Sequence, residues 1–378
     1  MRILHCADTH LGYSAYRKTT EEGVNQREMD VYNTFTQCVD YALQTKPDVV
    51  LHAGDLFDSV RPSNRAITVA LQQILRLSVE NIPFVVISGN HETPKLKETG
   101  NIFNIFEHLN QVYPIHRNRY EAISLKIKDK TVLIHAIPHC QSPKEFESNF
   151  KKIKIEKNAD FNLLLAHGAV ADIKEFKMNE FNELFIPVKN LKEEFDYIAL
   201  GHYHQYTKLQ ENVFYVGSTE HFSFTEANVQ KGVLQIDLKQ PLKHRFIPLK
   251  TRIMIDPPPL DCSTLRIDQI IQKVKEIIQT IDPSDKIIRI RLENIPIHLQ
   301  RGIDYHQIRN LAKTAVHFEI KTTSLKNDVT SLNESYKLKS LADEFEKFLT
   351  TQQYAEKKML LSLGLQYIHK HEEQEKKP

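Results

Sequence analysis

The chain has 378 residues, 41% hydrophobic and 26% charged, with a formal net charge of +2, which places it among soluble globular proteins large enough for more than one core. Cys6, Cys38, Cys140 and Cys262 form no C-x-x-C pair, which argues against a disulfide framework or a cysteine zinc site and for a reducing compartment. No apolar run is long enough to span a bilayer and no signal-like segment opens the chain, so a cytosolic protein with no membrane partner is expected; the balanced charge decides nothing about nucleic acid, because a basic patch can sit inside a neutral total.

Strand-like runs are predicted at Ile3–Ala7, Val49–Ala53, Phe84–Ser88, Val132–Ile137, Asn162–Ala166, Tyr197–Leu200 and Val213–Val216. Between the first two, Met29, Tyr32, Phe35, Val39 and Leu43 fall on one helical face. A second helix opens at Pro62-Ser63 and carries Ile67, Leu71 and Ile74 on one face. Strands alternating with helices indicate α/β layers around a buried sheet. Gly232–Leu238 and His244–Pro248 read as closing strands, and Pro257-Pro258-Pro259 as a linker. A small α+β unit follows: helix Leu265–Ile281, strand Lys286–Leu292, helix Tyr305–Thr314 and strand Val316–Lys321. Lys326 to Asn333 is polar. Leu338, Leu341, Ala342, Phe345, Phe348 and Leu349 then recur at helical spacing, a further helix runs from about Gln352 to His369, and Glu372 to Pro378 has the composition of a disordered end. The expected organisation is residues 1–250, 251–327 and 328–378.

Several strands end in polar groups, which at the edge of a buried sheet must find partners or do chemistry. The first gives Asp8-x-His10, the second Gly54-Asp55, the third Gly89-Asn90-His91-Glu92, and later ones His167-Gly168 and Gly201-His202-x-His204. Groups at the carboxyl ends of neighbouring strands converge on one crevice. Two aspartates, one asparagine and four histidines are too many ligands for one ion. They suit two ions sharing a carboxylate, the arrangement that clamps a phosphate, and mixed nitrogen and oxygen ligation admits manganese, iron or zinc. His91, beside Asn90, is expected to act on the phosphate or its leaving oxygen rather than on metal. His5, His52, His108, His116, His135 and His139 lack this context and are read as structural.

The set "ADTH", "GDLFD", "GNHE", "AHG" and "GHYH" resembles the calcineurin-like metallophosphoesterases. "HCADTHLGY", "GDLFDSVRPS" and "YVGSTEHFSF" further resemble the DNA double-strand-break repair exonucleases of the meiotic-recombination-eleven and SbcD type. That resemblance implies a layered β-sandwich flanked by helices, with a small α+β capping domain that binds DNA and a C-terminal helical tail. It implies two Mn2+ per subunit, one held by Asp8, His10, Asp55 and His204 and the other by Asp55, Asn90, His167 and His202, with Asp55 bridging and His91 catalytic. Asp58 stands where many members carry His and would orient His91 through its carboxylate, raising the imidazole's pKa. Glu92 departs from the commoner GNHD. Protein phosphatases carry GNHE, but Ser59-Val60 replaces the Arg-Gly they place after the preceding motif.

The implied activity is a manganese-dependent exonuclease and endonuclease acting in break repair with a coiled-coil ABC ATPase of the Rad-fifty or SbcC type, in the cytosol near the nucleoid. A small-molecule or protein phosphoesterase is the alternative, since the metal core is shared; a non-catalytic scaffold is disfavoured because every expected ligand is present. Arg17, Lys18, Arg61, Arg65, Lys95 and Lys97 are candidates to neutralise DNA phosphates at double-strand ends or single-stranded overhangs. Leu341, Phe345 and Phe348 are candidates to dock the ATPase, against the plainer reading that the tail packs on itself. A homodimer is implied, through the helix after Pro62 or through Asn101–Leu109, where Ile102, Phe103, Ile105 and Phe106 offer more apolar surface than one helix face needs.

Overall fold

In the computed structural model the chain runs through β1 (Arg2–Cys6), α1 (Gln26–Thr45), β2 (Val49–His52), α2 (Asn64–Val79), β3 (Phe84–Ile87) and β4 (Val112–Ile115). Then come β5 (Glu121–Ile127), β6 (Lys130–Ile137), α3 (Pro143–Lys151), β7 (Phe161–His167), β8 (Ala169–Val170) and β9 (Phe185–Ile186). β10 (Tyr197–Gly201), β11 (Thr207–Gln210), β12 (Val213–Tyr215), β13 (Gly232–Asp237) and β14 (Lys243–Pro248) follow. The described residues are 1–96, 99–171, 183–239, 241–300, 302–324, 342, 345–346, 349 and 357–375, with 297–298, 357 and 369–375 described as backbone only. They divide into two units: residues 1–257 with 276–289 and 306–319, and residues 258–275 with 290–305 and 320–378.

The first unit holds two six-stranded sheets, in the orders β14-β13-β1-β2-β3-β4 and β11-β12-β10-β7-β6-β5. β1 to β4 run parallel, as do β6, β7, β10 and β12. β2 and β3 are buried at every position, which explains why VVLH and FVVI read as unbroken apolar runs: strands covered on both faces need no polar alternation. One face of each sheet meets the other, with Ile3, Leu51 and Val85 packed among Ile134, Leu165 and Phe214. The outer face of the first sheet is covered by α1 and α2 through Phe35, Ile74 and Leu77, and that of the second by α3 through Phe146 and Phe150. The result is the layered α/β sandwich expected from the sequence.

Asn25 caps α1 by accepting from the backbone N–H groups of Arg27 and Glu28, and Ser63 caps α2 by accepting from Ala66, so the second helix starts where Pro62-Ser63 placed it. Ile102–Phe106 is a short 3-10 turn in which Phe103 and Phe106 are 0% exposed and pack against Phe57. Two of the four apolar side chains read there, Phe103 and Phe106, belong to the core, while Ile102 and Ile105 stay half-buried. On α2, by contrast, Leu75 and Val79 remain exposed.

Also in the first unit, Met254 and Ile255 pair in parallel with Ile287 and Ile288, and Met254, Ile287 and Val316 cluster with Tyr16 and Phe224. Arg27, 0% exposed, donates to Asp30 (2.7 Å) and Glu220 (2.8 Å), and Arg252 Nη2 donates to Asp30 Oδ1 (2.6 Å). In the second unit, Leu260 and Asp261 pair with Leu292 and Glu293. The helix Lys357–Glu375 exposes Met359, Leu360, Leu363 and Tyr367. Phe345 lies so close to Gly364 of that helix that a Cβ there would strike its ring, so this side chain packs within the tail. Leu341 and Phe348 lie outside the described residues.

Candidate metal centre

Each parallel strand that carries a motif delivers it at its carboxyl end, and there the backbone leaves β geometry. Asp8, His10, Asp55 and His202 have φ of 51°, 46°, 53° and 97°, the left-handed region that costs a non-glycine residue about 1–3 kcal/mol. The conformation is held by a ladder between two loops: Asp8 N–H donates to Gly54 O (3.0 Å), His10 N–H to Asp55 O (3.0 Å) and Leu11 N–H to Leu56 O (2.8 Å). His202 N–H donates to Asp8 Oδ1 at 2.9 Å. Two glycines make room. Gly54 sits at φ 94° against the His167 ring, and at Gly89 a Cβ would collide with the Asp55 carboxylate.

Seven side chains from five strand ends meet in this space, and their potential ligand atoms form two groups, Asp8 with His10 and His204, and Asp55 with His167 and His202, each within 4.8 Å. A third group joins His10, Asp55 and His91. Asp55 Oδ2 lies 3.3 Å from His167 Nε2 and 3.9 Å from His10 Nε2, so one carboxylate oxygen faces both halves. Asn90 Oδ1 accepts from His167 Nε2 (2.9 Å) and faces His202 Nδ1 (3.2 Å). His10 Nε2 and His204 Nε2 point at one another across 3.3 Å.

The opposite nitrogens are braced. His167 Nδ1–H donates to Ala53 O (2.8 Å), His202 Nε2 meets Glu183 Oε1 (3.0 Å), His204 Nδ1 meets Glu226 Oε1 (3.2 Å) and His10 Nδ1 faces Asp58 Oδ1 (3.3 Å). His167, His202 and His204 therefore turn one nitrogen toward the centre and anchor the other, the pattern by which proteins orient metal-binding histidines, while His10 Nδ1 only lies near the Asp58 carboxylate. Burial alone would raise the Asp55 carboxyl, but His167, His91 and His10 hold it well below its ordinary value. Burial would lower His167, but Asp55 and Asp8 push it up to about 9. Without metal the pair is a carboxylate and an imidazolium, both of whose N–H groups find oxygen acceptors. The donor set and its orientation fit two divalent ions, with an Nε2 proton on His167 to be displaced.

Glu92 has a different part from its neighbours. Its Oε1 accepts from the backbone N–H groups of Leu56 and Gly89, both at 3.1 Å, and it is 0% exposed. It ties the Asp55 loop to the Asn90 loop. Burial and the charge of Asp55 push its carboxyl pKa well up. Asp58 departs from expectation: His91 Nδ1–H donates to the main-chain carbonyl of Asp58 (3.0 Å), while the carboxylate is 3.8 Å from that nitrogen and nearer to His10. The orienting contact to His91 is thus one that any residue at this position supplies.

Three of the histidines read as structural are buried and paired. His5 meets Tyr197 (2.8 Å) and His52 meets Thr9 (3.1 Å), and burial lowers both to about 3; His116 meets Glu107 (2.9 Å). Of the basic candidates, Arg17, Arg61 and Lys95 are exposed. Lys18 lies 3.8 Å from Asp285 and Arg65 3.4 Å from Glu28, and Lys97 is outside the described residues. Glu183, Glu226 and Lys231 were not singled out from sequence. Glu226 lies just past the quoted "YVGSTEHFSF", but nothing in its spacing ties it to a histidine 22 residues earlier.

A family model for calcineurin-like phosphoesterases matches residues 1–206. Three similar relatives are each called DNA double-strand break repair protein Mre11. The one from Methanococcus maripaludis is 32% identical over 61% of this chain and 60% of its own length. The one from Sulfolobus acidocaldarius is 28% identical over 88% and 84%, and the one from Saccharolobus solfataricus 31% over 56% and 51%. The chain thus spans less than two thirds of two of these relatives.

Proposed function

The chain belongs to the calcineurin-like phosphoesterase family, and from that premise we propose that it is a two-metal, manganese-dependent DNA nuclease that hydrolyses phosphodiesters at broken ends in double-strand break repair. The carrying observation is the two ligand groups, with Asp55 Oδ2 facing His10 of one and His167 of the other, and with the outer nitrogens of His167, His202 and His204 braced. Asp8, His10, Asp55 and His204 would hold one ion and Asp55, Asn90, His167 and His202 the other. Two such ions, when bound, supply an acidified water and positive charge for the phosphate oxygens.

His91 supplies the proton chemistry. Its backbone N–H donates to Asp55 Oδ1 at 3.0 Å, fixing the residue beside the bridging carboxylate. Because Nδ1–H is given to the Asp58 carbonyl, the proton that His91 exchanges is the one on Nε2. An imidazolium there can protonate the leaving 3′ or 5′ oxygen. Asn90 orients through its amide oxygen, and Glu92 holds the two loops in register.

Support for the substrate comes from the names of the relatives and from the exposed Arg17, Arg61 and Lys95 on the motif loops. The same reading gives a capping domain at about residues 251–327, a cytosolic nuclease that pairs with a second copy through α2, and a coiled-coil ABC ATPase docked on the tail. The test is cleavage of linear duplexes with recessed and overhanging ends, in manganese against magnesium. Manganese-dependent shortening of the duplex is expected; cleavage of p-nitrophenyl phosphate without cleavage of DNA would make the chain a small-molecule phosphoesterase.

A further inference from the structure

Behind His204 lies an ion pair that the reaction so far leaves without a part. Lys231 is 2% exposed, and its Nζ donates to the His204 carbonyl (2.8 Å), Ser218 Oγ (2.8 Å) and Glu226 Oε2 (2.6 Å). Three acceptors use all three ammonium protons. The second carboxylate oxygen, Glu226 Oε1, faces His204 Nδ1 at 3.2 Å.

We infer that Glu226 and Lys231 are positioning residues that fix the tautomer of His204 and so set how tightly one of the two ions is held. Lys231 occupies one end of the carboxylate and orients it. The remaining oxygen is an acceptor and nothing else, so the nitrogen it meets must carry a proton. Nδ1 of His204 is then N–H, and Nε2, which points toward His10 Nε2 across 3.3 Å, presents its lone pair. The pair also anchors the His204 main chain through the same ammonium, so ring and backbone are located by one buried group. Thr219 and Glu220 precede this loop, and Phe222 N–H adds a contact to Glu226 Oε2 at 3.3 Å, which limits rotation of the carboxylate. This inference rests on the metal reading above.

Glu226→Gln tests it with little change of shape. A carboxylate has two acceptor ends, one for Lys231 and one for His204. An amide has one. With Lys231 in place the amide oxygen turns to the ammonium, the NH2 faces His204 Nδ1, and the imidazole proton is driven onto Nε2. In a manganese titration read by the EPR signal of free Mn2+, the parent chain should bind two ions. Glu226→Gln should weaken one of them by about 10–100-fold and leave the other unchanged. In Glu226→Gln combined with Lys231→Met only the 3.3 Å Phe222 N–H contact still favours the oxygen at the former Lys231 end. Ser223 Oγ–H at 3.3 Å and the His204 Nδ1–H favour it at the other. The amide oxygen can then turn to His204, and the weakened ion should recover at least part of its affinity. A mere packing lesion behaves the opposite way, since a second buried substitution deepens it. Parental binding of both ions by Glu226→Gln, or a double variant no tighter than the single one, would overturn the assignment. A parent that binds no manganese would remove the metal centre itself, and this role with it.

Discussion

At the strand ends of the sandwich, Asp8, Asp55, His167 and Glu92 are polar and no more than 1% exposed, whereas on the helix Lys357–Glu375 the apolar Leu363 and Tyr367 are 52% and 69% exposed. Both regions depart from ordinary burial, in opposite directions, and the physics asks different questions of them. A buried ionisable group is stable when it is neutralised by partners, and the strand ends contain most of those partners: carbonyls, carboxylates and an orienting amide. An exposed apolar stripe lowers its free energy when something covers it, and the described residues of the tail include Phe345 against Gly364 but leave the stripe in water. The first region presents the donor set of a candidate metal centre, the second an apolar stripe that the described residues leave exposed.

The comparison breaks most sharply at Asp55. Asp55→Ala removes the carboxylate whose Oδ2 faces both His167 and His10, so metal analysis of the purified variant should find both ions lost while the fold survives; full occupancy would remove the proposed bridge. His91→Leu separates chemistry from binding. Cleavage should fall by about 10²–10⁴-fold with manganese content at the parental value, and a parental rate would take His91 out of the mechanism. On the tail, Leu363→Glu with Tyr367→Glu should weaken ATPase capture by about 10²-fold or more, given roughly 1.5–3 kcal/mol for each buried apolar side chain. The melting temperature of the isolated chain should not move. If the melt drops and capture persists, the stripe packs on its own chain and the contrast between the regions disappears.

Two pH effects sharpen the polar side. Burial would raise the Glu220 carboxyl, but the His221 side chain and the Arg27 guanidinium hold it at about 2, below its ordinary 4.5. Its contribution is therefore complete above pH 4.5 and lost as pH falls toward 2. Thermal melts between pH 5 and pH 2 should fall more steeply for the parent than for Glu220→Gln; equal slopes would mean the pair contributes nothing. His167 works the other way, its pKa raised to about 9. Its imidazolium is complete below pH 6.5 and persists to about 9, and the proton on Nε2 competes with metal. Manganese affinity should rise by up to tenfold per pH unit from 7 and level off near 9, measured calorimetrically; a flat profile would mean His167 binds no ion.

The buried strands and the candidate ligand residues at their ends were legible because buried parallel strands write themselves as apolar runs and each motif sits where such a run stops. β5 and β11 were not. They are edge strands whose exposed positions are polar, as in Glu121–Ile127 with its single fully buried Leu125, so no apolar signal marks them. α3 is short, and its face rests on Phe146 and Phe150 alone. Ile102–Phe106 forms a 3-10 turn, so Phe103 and Phe106, three residues apart, fall on one side and both enter the core. The braces escaped for another reason: Glu183, Glu226 and Lys231 are ordinary charged residues until the fold sets them behind His202 and His204, and only long-range pairing gives them a role.

The left-handed backbone at Asp8, His10, Asp55 and His202 bears on whether this centre can be transplanted. A designer who grafts the letters D-x-H and G-D onto the strand ends of another sheet inherits the side chains but not their directions, because a regular β exit aims them elsewhere. The portable unit is the pair of loops laced by the Asp8–Gly54, His10–Asp55 and Leu11–Leu56 hydrogen bonds, with Glu92 as the clasp between Leu56 and Gly89. A scaffold search for this chemistry should be made on dihedral angles first and residue names second.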